Sequence, residues 1–136
     1  MSRLAQGGST LESVPIILVV EDDPLIQGVV EETLTDGGFE IVIVSSAENA
    51  IDLLDVQKVK YRAVVTDINL GHDKMEGWDV ARRAREIDAK IPVVYMTGAS
   101  ADDWASNGVP NSILLTKPFA PAQLLTAVSQ LLNEGS

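Results

Sequence analysis

Four stretches of this chain place polar groups where an apolar run stops. Ile16-Ile-Leu-Val-Val20 breaks into Glu21-Asp22-Asp23-Pro24, and Ala63-Val-Val-Thr66 runs straight into Asp67. Pro92-Val-Val-Tyr-Met96 ends in Thr97-Gly98-Ala99, and Ser112-Ile-Leu-Leu115 leads to Thr116-Lys117-Pro118-Phe119. Each polar residue has an ordinary explanation alone. Asp begins turns and caps helices, acids favour helix N-termini, surface lysines snorkel, and Thr suits strands. Gathered in one place they would do more. Clustered carboxylates repel one another and cost stability unless a cation neutralises them. An oxygen-only donor set favours a hard ion, and so few carboxylates suit Mg²⁺ with its retained waters better than a full Ca²⁺ cage. A helix N-terminus accounts comfortably for one acid among Glu21, Asp22 and Asp23, but not for Asp67 or Lys117. Beside an acidic pocket, Lys117 would pair with Asp67 or with an anionic substrate group. The Thr97 hydroxyl, next to the compact Gly98-Ala99, could hydrogen-bond a ligand oxygen.

The elements that would gather these groups alternate regularly. Ile16–Val20 is continuously apolar, as a central strand buried on both faces must be. Pro24 suits a first helical turn, and Leu25, Ile26, Val29, Val30 and Leu34 follow at helical spacing until Asp36-Gly37-Gly38, where a glycine supplies the left-handed cap. Phe39–Val44 reads as a second strand, and its Glu40 fits an edge position. Ser45-Ser46-Ala47-Glu48 resembles a capping signal before a helix with Ala47, Ala50, Ile51 and Leu54 on its apolar side. Ala63–Ile68 is the third strand, and 71–77 is a polar loop. A helix with Trp78, Ala81, Ala84 and Ile87 inward follows, then a fourth strand, Pro92–Thr97. Ser100-Ala-Asp-Asp103 could cap a short helix through Trp104 and Ala105. Ser112–Leu115 is the fifth strand, and a last helix runs from about Pro121 to Leu132. Five β-α units imply a parallel sheet with right-handed crossovers and helices on both faces. All strand C-termini then share one rim, which receives Glu21, Asp22, Asp67, Thr97 and Lys117.

The composition sets bounds. The chain's 136 residues suit one domain, expected to span residues 15–134 behind a flexible arm at 1–14. A formal net charge of −10, from 20 acidic and 10 basic residues, disfavours nucleic-acid binding through phosphate neutralisation. With no Cys, thiolate catalysis and zinc–thiolate sites are excluded. No apolar run approaches a membrane span and the N-terminus lacks the apolar core of a signal peptide, so neither membrane nor nucleic-acid partners are expected and the chain reads as cytoplasmic.

The ordered set Glu21-Asp22-Asp23-Pro24, Thr66-Asp67-Ile68-Asn69, Gly77, Met96-Thr97-Gly98 and Lys117-Pro118-Phe119 closely resembles the receiver domain of two-component response regulators, from about Ile16 to Leu132. The resemblance implies an α/β fold of flavodoxin-like (βα)5 type, a doubly wound parallel five-stranded sheet with strand order 2-1-3-4-5. It implies that Asp67 is the phosphoacceptor, charged by a sensor histidine kinase or a histidine phosphotransfer protein. Mg²⁺, which Mn²⁺ can replace, would be bound by Asp22, Asp67 and the backbone carbonyl of Asn69, with Glu21 acting mainly through water. Lys117 and Thr97 would contact phosphoryl oxygens. Such a domain is not an enzyme beyond accepting a phosphoryl group and slowly hydrolysing it, and it signals through a downstream protein partner or relays the group onward.

Three departures accompany the resemblance. Leu114 stands three residues before Lys117, where Tyr or Phe is usual, so the aromatic switch is absent or relocated. The loop from Asp67 to Gly77 is about two residues longer than is common and carries Gly71 where Pro is usual. The segment 100–110 is poor in helix signals. No output domain follows the last helix, so a stand-alone receiver is expected. His72 reads as an exposed loop residue, since one His makes no transition-metal site, and Trp78 and Trp104 read as packing residues. The alternatives are an Mg²⁺-dependent phosphotransferase or phosphatase with Asp67 as turnover nucleophile, and a flavodoxin-like cofactor binder. The Gly-rich phosphate loop of the first is missing from the sequence, and an acid-lined rim argues against an anionic cofactor without a metal.

Overall fold

A computed structural model describes residues 14–70 and 74–134. The arm at 1–13 and the loop residues Gly71, His72 and Asp73 lie outside the described residues. The elements follow in strict alternation: β1 (Ile16–Val20), α1 (Pro24–Asp36), β2 (Glu40–Val44), α2 (Ala47–Val56), β3 (Ala63–Asp67), α3 (Gly77–Ile87), β4 (Val93–Thr97), α4 (Trp104–Asn107), β5 (Ser112–Thr116) and α5 (Pro121–Glu134). The sheet order is β2-β1-β3-β4-β5, with every pairing parallel. The expected order is therefore realised, and element ends shift from the expected ones by only a residue or so.

Burial follows from position in the sheet. β3 and β4 are buried from end to end, and β1 is buried except at Ile16. β2 is half-buried with Glu40 exposed, as an edge strand is. Successive side chains of a strand point to opposite faces, so the sheet feeds two cores. Leu18, Val20, Val64, Val93 and Tyr95 meet α2 and α3 through Ala50, Leu54, Trp78, Ala81 and Ala84. Ile17, Val19, Val65, Val94 and Met96 meet α1 and α5 through Val30, Leu34, Leu124, Val128 and Leu131.

The helix ends obey local chemistry. Asp23 caps α1 by accepting the Leu25 N–H, with Pro24 in the first turn. The left-handed residue after α1 is Gly38, at φ +97°, while Gly37 stays helical at φ −79°. Ser46 caps α2 through the Asn49 N–H. Glu76 and Asp79 form a reciprocal capping box on α3. The segment read as helix-poor is indeed short, a 3₁₀ turn at Ala101–Asp103 and then the four residues of α4. Ser100 does not cap it with its side chain, as its position in the sequence led one to expect. The Thr97 hydroxyl instead accepts the N–H groups of Ala99 and Ser100 at 3.1 and 2.8 Å. Gly108 ends the segment because a Cβ there would lie 2.4 Å from the Trp104 ring.

Trp78 is buried and packs on Tyr95, ring centroids 4.9 Å apart. The Tyr95 hydroxyl accepts the buried Val109 N–H at 3.1 Å. Tyr95→Phe preserves the ring packing but strands that N–H, a loss that typically costs about 1–3 kcal/mol. Chemical denaturation should show a loss of that size, and unchanged stability would mean that water satisfies Val109 equally well.

Candidate functional site

The rim where β1, β3, β4 and β5 end is where an open parallel sheet places its ligands. The charged and hydroxyl side chains expected there come together on it. Glu21 and Asp67 are buried, Asp22 is exposed, and carboxylate oxygens of all three lie within 4.8 Å of one another. Lys117 reaches over from beyond β5, its Nζ 2.9 Å from Glu21 Oε1 and 3.3 Å from Asp67 Oδ2. Glu21 is thus the closer partner of the lysine, and its Oε2 accepts the Asp23 N–H at 3.0 Å. The three acids after β1 have three different environments. Asp23 is a helix cap, Glu21 is a buried counter-ion, and Asp22 faces solvent beside the other carboxylates. The helix-start explanation holds for Asp23 alone.

The backbone around Asp67 is held from two sides. Thr66 Oγ1 donates to the Asp67 carbonyl at 2.9 Å, and the Gly77 N–H donates to the Ile68 carbonyl at 2.9 Å. A Cβ on Gly77 would lie 2.2 Å from the Asp67 carbonyl oxygen, so the start of α3 can approach β3 this closely only as glycine. Asn69 is exposed two residues past Asp67. Thr97 is fully buried, and its hydroxyl accepts two N–H bonds.

Electrostatics follow from this crowding. Burial raises the Asp67 carboxyl to about 6, the Glu21 and Asp22 charges adding to the effect and Lys117 opposing it. Burial pulls the Lys117 ammonium down, but Glu21 and Asp67 outweigh that and its net shift is upward. Three carboxylates against one ammonium leave the pocket anionic. Its oxygen-only donors are compatible with a hard divalent cation.

Several participants carried no signal strong enough to single them out. Gln27 donates its amide to the Glu21 carbonyl and to Ser45 Oγ, and Ser100 Oγ donates to Asn69 Oδ1 at 3.1 Å. Ser100 lies three residues after Thr97, the one spacing that could have pointed to it. Leu114 is half-buried and pairs in register with Tyr95 on the neighbouring strand. The buried aromatic here belongs to β4, with its hydroxyl tied to Val109.

The fold and site define a doubly wound α/β domain with a carboxylate-rich, lysine-bridged rim compatible with a divalent cation. The family model for the response regulator receiver domain matches residues 17–129. A receiver protein of known structure from Sinorhizobium medicae is 49% identical, superimposes with a TM-score of 0.86, and is matched over 90% of this chain and 98% of its own. The heme response regulator HssR of Staphylococcus saprophyticus is 31% identical over 85% of this chain and 50% of its own length. SilR of Salmonella typhimurium, described as a probable transcriptional regulatory protein, is 32% identical over 88% and 52%. The chain spans about half the length of these curated relatives. It belongs to the response regulator receiver domain family and is a receiver domain of two-component signalling. No described helix is long and apolar enough to cross a membrane.

The Asp67 shift sets a pH dependence. Between the ordinary value of 3.8 and about 6 the folded chain keeps a proton on Asp67 that the unfolded chain has lost. Stability therefore falls as pH rises through that window. At 1.36 kcal/mol per unit the loss above pH 6 is at most about 3 kcal/mol. Without divalent cations, Asp67→Asn should unfold at higher denaturant than the wild type at pH 7.5, with the advantage gone near pH 4. Equal stability at pH 7.5 would show that Lys117 already balances the pocket. A cation held by Asp67 would bind more weakly as pH drops through about 6, because a proton on the carboxyl competes with it, and calorimetric titration with Mg²⁺ checks this.

Proposed function

We propose that Asp67 is the phosphoacceptor, charged from the phosphohistidine of a sensor histidine kinase or a histidine phosphotransfer protein. The observation that carries this reading is the convergence of Glu21, Asp22 and Asp67 within 4.8 Å under a single bridging lysine. Phosphoryl transfer asks a protein mainly to position groups and neutralise charge. An Asp67 carboxylate oxygen attacks phosphorus as the bond to the histidine nitrogen breaks, and the imidazole leaves. Lys117 exchanges carboxylate contacts for a phosphoryl oxygen. The Thr97 hydroxyl, which accepts two N–H bonds and donates to no group among the described residues, has its hydrogen available for another phosphoryl oxygen.

The donor set fits Mg²⁺. Asp22, Asp67 and the Asn69 backbone carbonyl would hold it, with Glu21 acting through water, and when bound it supplies positive charge that offsets the pocket's carboxylates and the incoming phosphoryl oxygens. Mn²⁺ would serve in its place. A structure of the receiver domain of PA1611, a sensor histidine kinase of Pseudomonas aeruginosa, is described with magnesium in its active-site cleft. Downstream, the charged domain acts on a protein partner or passes the phosphoryl group on. Its acidic surface is suited to protein contacts in the cytoplasm rather than to nucleic acid. The transcriptional role in the relatives' names is that of proteins of which this chain matches about half the length.

Incubation with Mg²⁺ and acetyl phosphate, followed by intact-mass measurement, tests the assignment. The wild type should gain one phosphoryl group, Asp67→Asn none, and the wild type with EDTA none. Equal labelling of wild type and Asp67→Asn would remove Asp67 from this role.

A further inference from the structure

We propose that Ser100 is a positioning residue that prolongs the life of the phosphoryl group on Asp67 by occupying the side-chain carbonyl of Asn69. The inference rests on the phosphoacceptor reading and extends it to hydrolysis. Ser100 stands between the two loops that flank the site. Its N–H donates to Thr97 Oγ1 at 2.8 Å, which fixes its backbone at the end of β4. Its hydroxyl donates to Asn69 Oδ1 at 3.1 Å, on the far side of the rim. Among the described residues no other side-chain hydrogen bond holds the Asn69 amide, and Asn69 is exposed at the mouth of the pocket, two residues past Asp67.

Hydrolysis of an aspartyl phosphate needs a water aligned opposite the Asp67 oxygen. The water oxygen bonds to phosphorus, the phosphorus–oxygen bond to Asp67 breaks, Asp67 departs as carboxylate, and the water's proton leaves with phosphate or to solvent. A side-chain amide that accepts the water's O–H points the water's lone pair at phosphorus, the role a glutamine plays in GTP hydrolysis. Asn69 Oδ1 is such an acceptor, and the Ser100 hydroxyl competes with water for it. With Oδ1 engaged, the amide presents chiefly its N–H₂, which donates to a water oxygen and ties up the lone pair needed for attack. The Ser100 bond is exposed and closes no part of either core, so the fold does not require it.

The test uses the full chain, phosphorylated with acetyl phosphate and Mg²⁺, desalted, and followed by intact mass as the label decays. Ser100→Ala should lose its phosphoryl group about fivefold faster than the wild type, the factor corresponding to one neutral hydrogen bond. Ser100→Thr, which keeps the hydroxyl, should restore slow decay, and Ser106→Ala on the exposed side of α4 should decay as the wild type does. In an Asn69→Ala background Ser100→Ala should have no further effect. Equal or slower decay in Ser100→Ala overturns the proposal, as does the same acceleration without Asn69. A wild type that takes no label at all brings down the phosphoacceptor reading and this inference with it, whereas normal labelling with unaltered decay removes only the role of Ser100.

Discussion

Three carboxylates held within 4.8 Å of one another repel, and the rim of this domain is organised around containing that repulsion. Water would screen the charges if they were exposed, but Glu21 and Asp67 are buried, where like charges interact more strongly. Among the described residues Lys117 is the one ammonium set against them, and it touches both buried acids. Burial first, and the Glu21 charge after it, raise the Asp67 carboxyl in spite of Lys117. A pocket left anionic in this way has a standing affinity for a cation. The lysine, already on two carboxylates, is placed to move to an arriving anion. The repulsion within the resting pocket and the placing of Lys117 on both buried acids are two aspects of one charge arrangement.

That arrangement needs the strand ends fixed to within a fraction of an ångström, and polar cross-links around the rim do this. Gln27 ties the end of β1 to Ser45 beyond β2. Gly77 lets α3 sit directly on the Asp67 backbone. Thr97 and Ser100 join the β4 loop to Asn69. Farther out, α3 steadies the segment around α4. Arg82 donates to the Asn107 carbonyl, and Arg85 donates to the carbonyls of Ile91 and Pro110. A four-residue helix cannot hold itself together by its own ladder, and these arginines, with Tyr95 on the Val109 N–H, supply partners that it lacks. The element touching the Asp67 backbone at one end therefore grips the α4–β5 region at the other. With Leu114 in place of an aromatic, this contact through α3 is a physical connection between the two regions that the side chains themselves display.

Much of this was legible in the sequence. The apolar run Ile16–Val20 marked a strand buried on both faces, Ala63–Thr66 and Pro92–Met96 marked two more strands, and Glu40 marked an edge, because burial on two sides excludes charge while burial on one does not. Asp23-Pro24 and Gly37-Gly38 bracketed the first helix through capping chemistry that is local to a few residues. The rim was also foreseeable, since a parallel sheet sends every strand's C-terminal end the same way. Ser100 was misjudged as a side-chain cap for the opposite reason. Its hydroxyl partner, Asn69, is 31 residues away in the chain, and no local pattern reports such a pairing.

The sequence by itself determined that Ile16–Val20 is a central strand, that Glu40 lies on an edge, and which acids, hydroxyl and lysine arrive at one rim, because periodicity and capping act over a few residues and topology carries them there. It did not foresee that Leu25 and Val29, spaced as an apolar helix face, are exposed. Only the tertiary structure decided how those groups divide the work. It made Asp23 a cap, Glu21 the nearer partner of Lys117, Asp22 the exposed carboxylate, and Ser100 the link from Thr97 to Asn69. Those roles depend on distances between side chains far apart in the chain, and distances of that kind are set by packing.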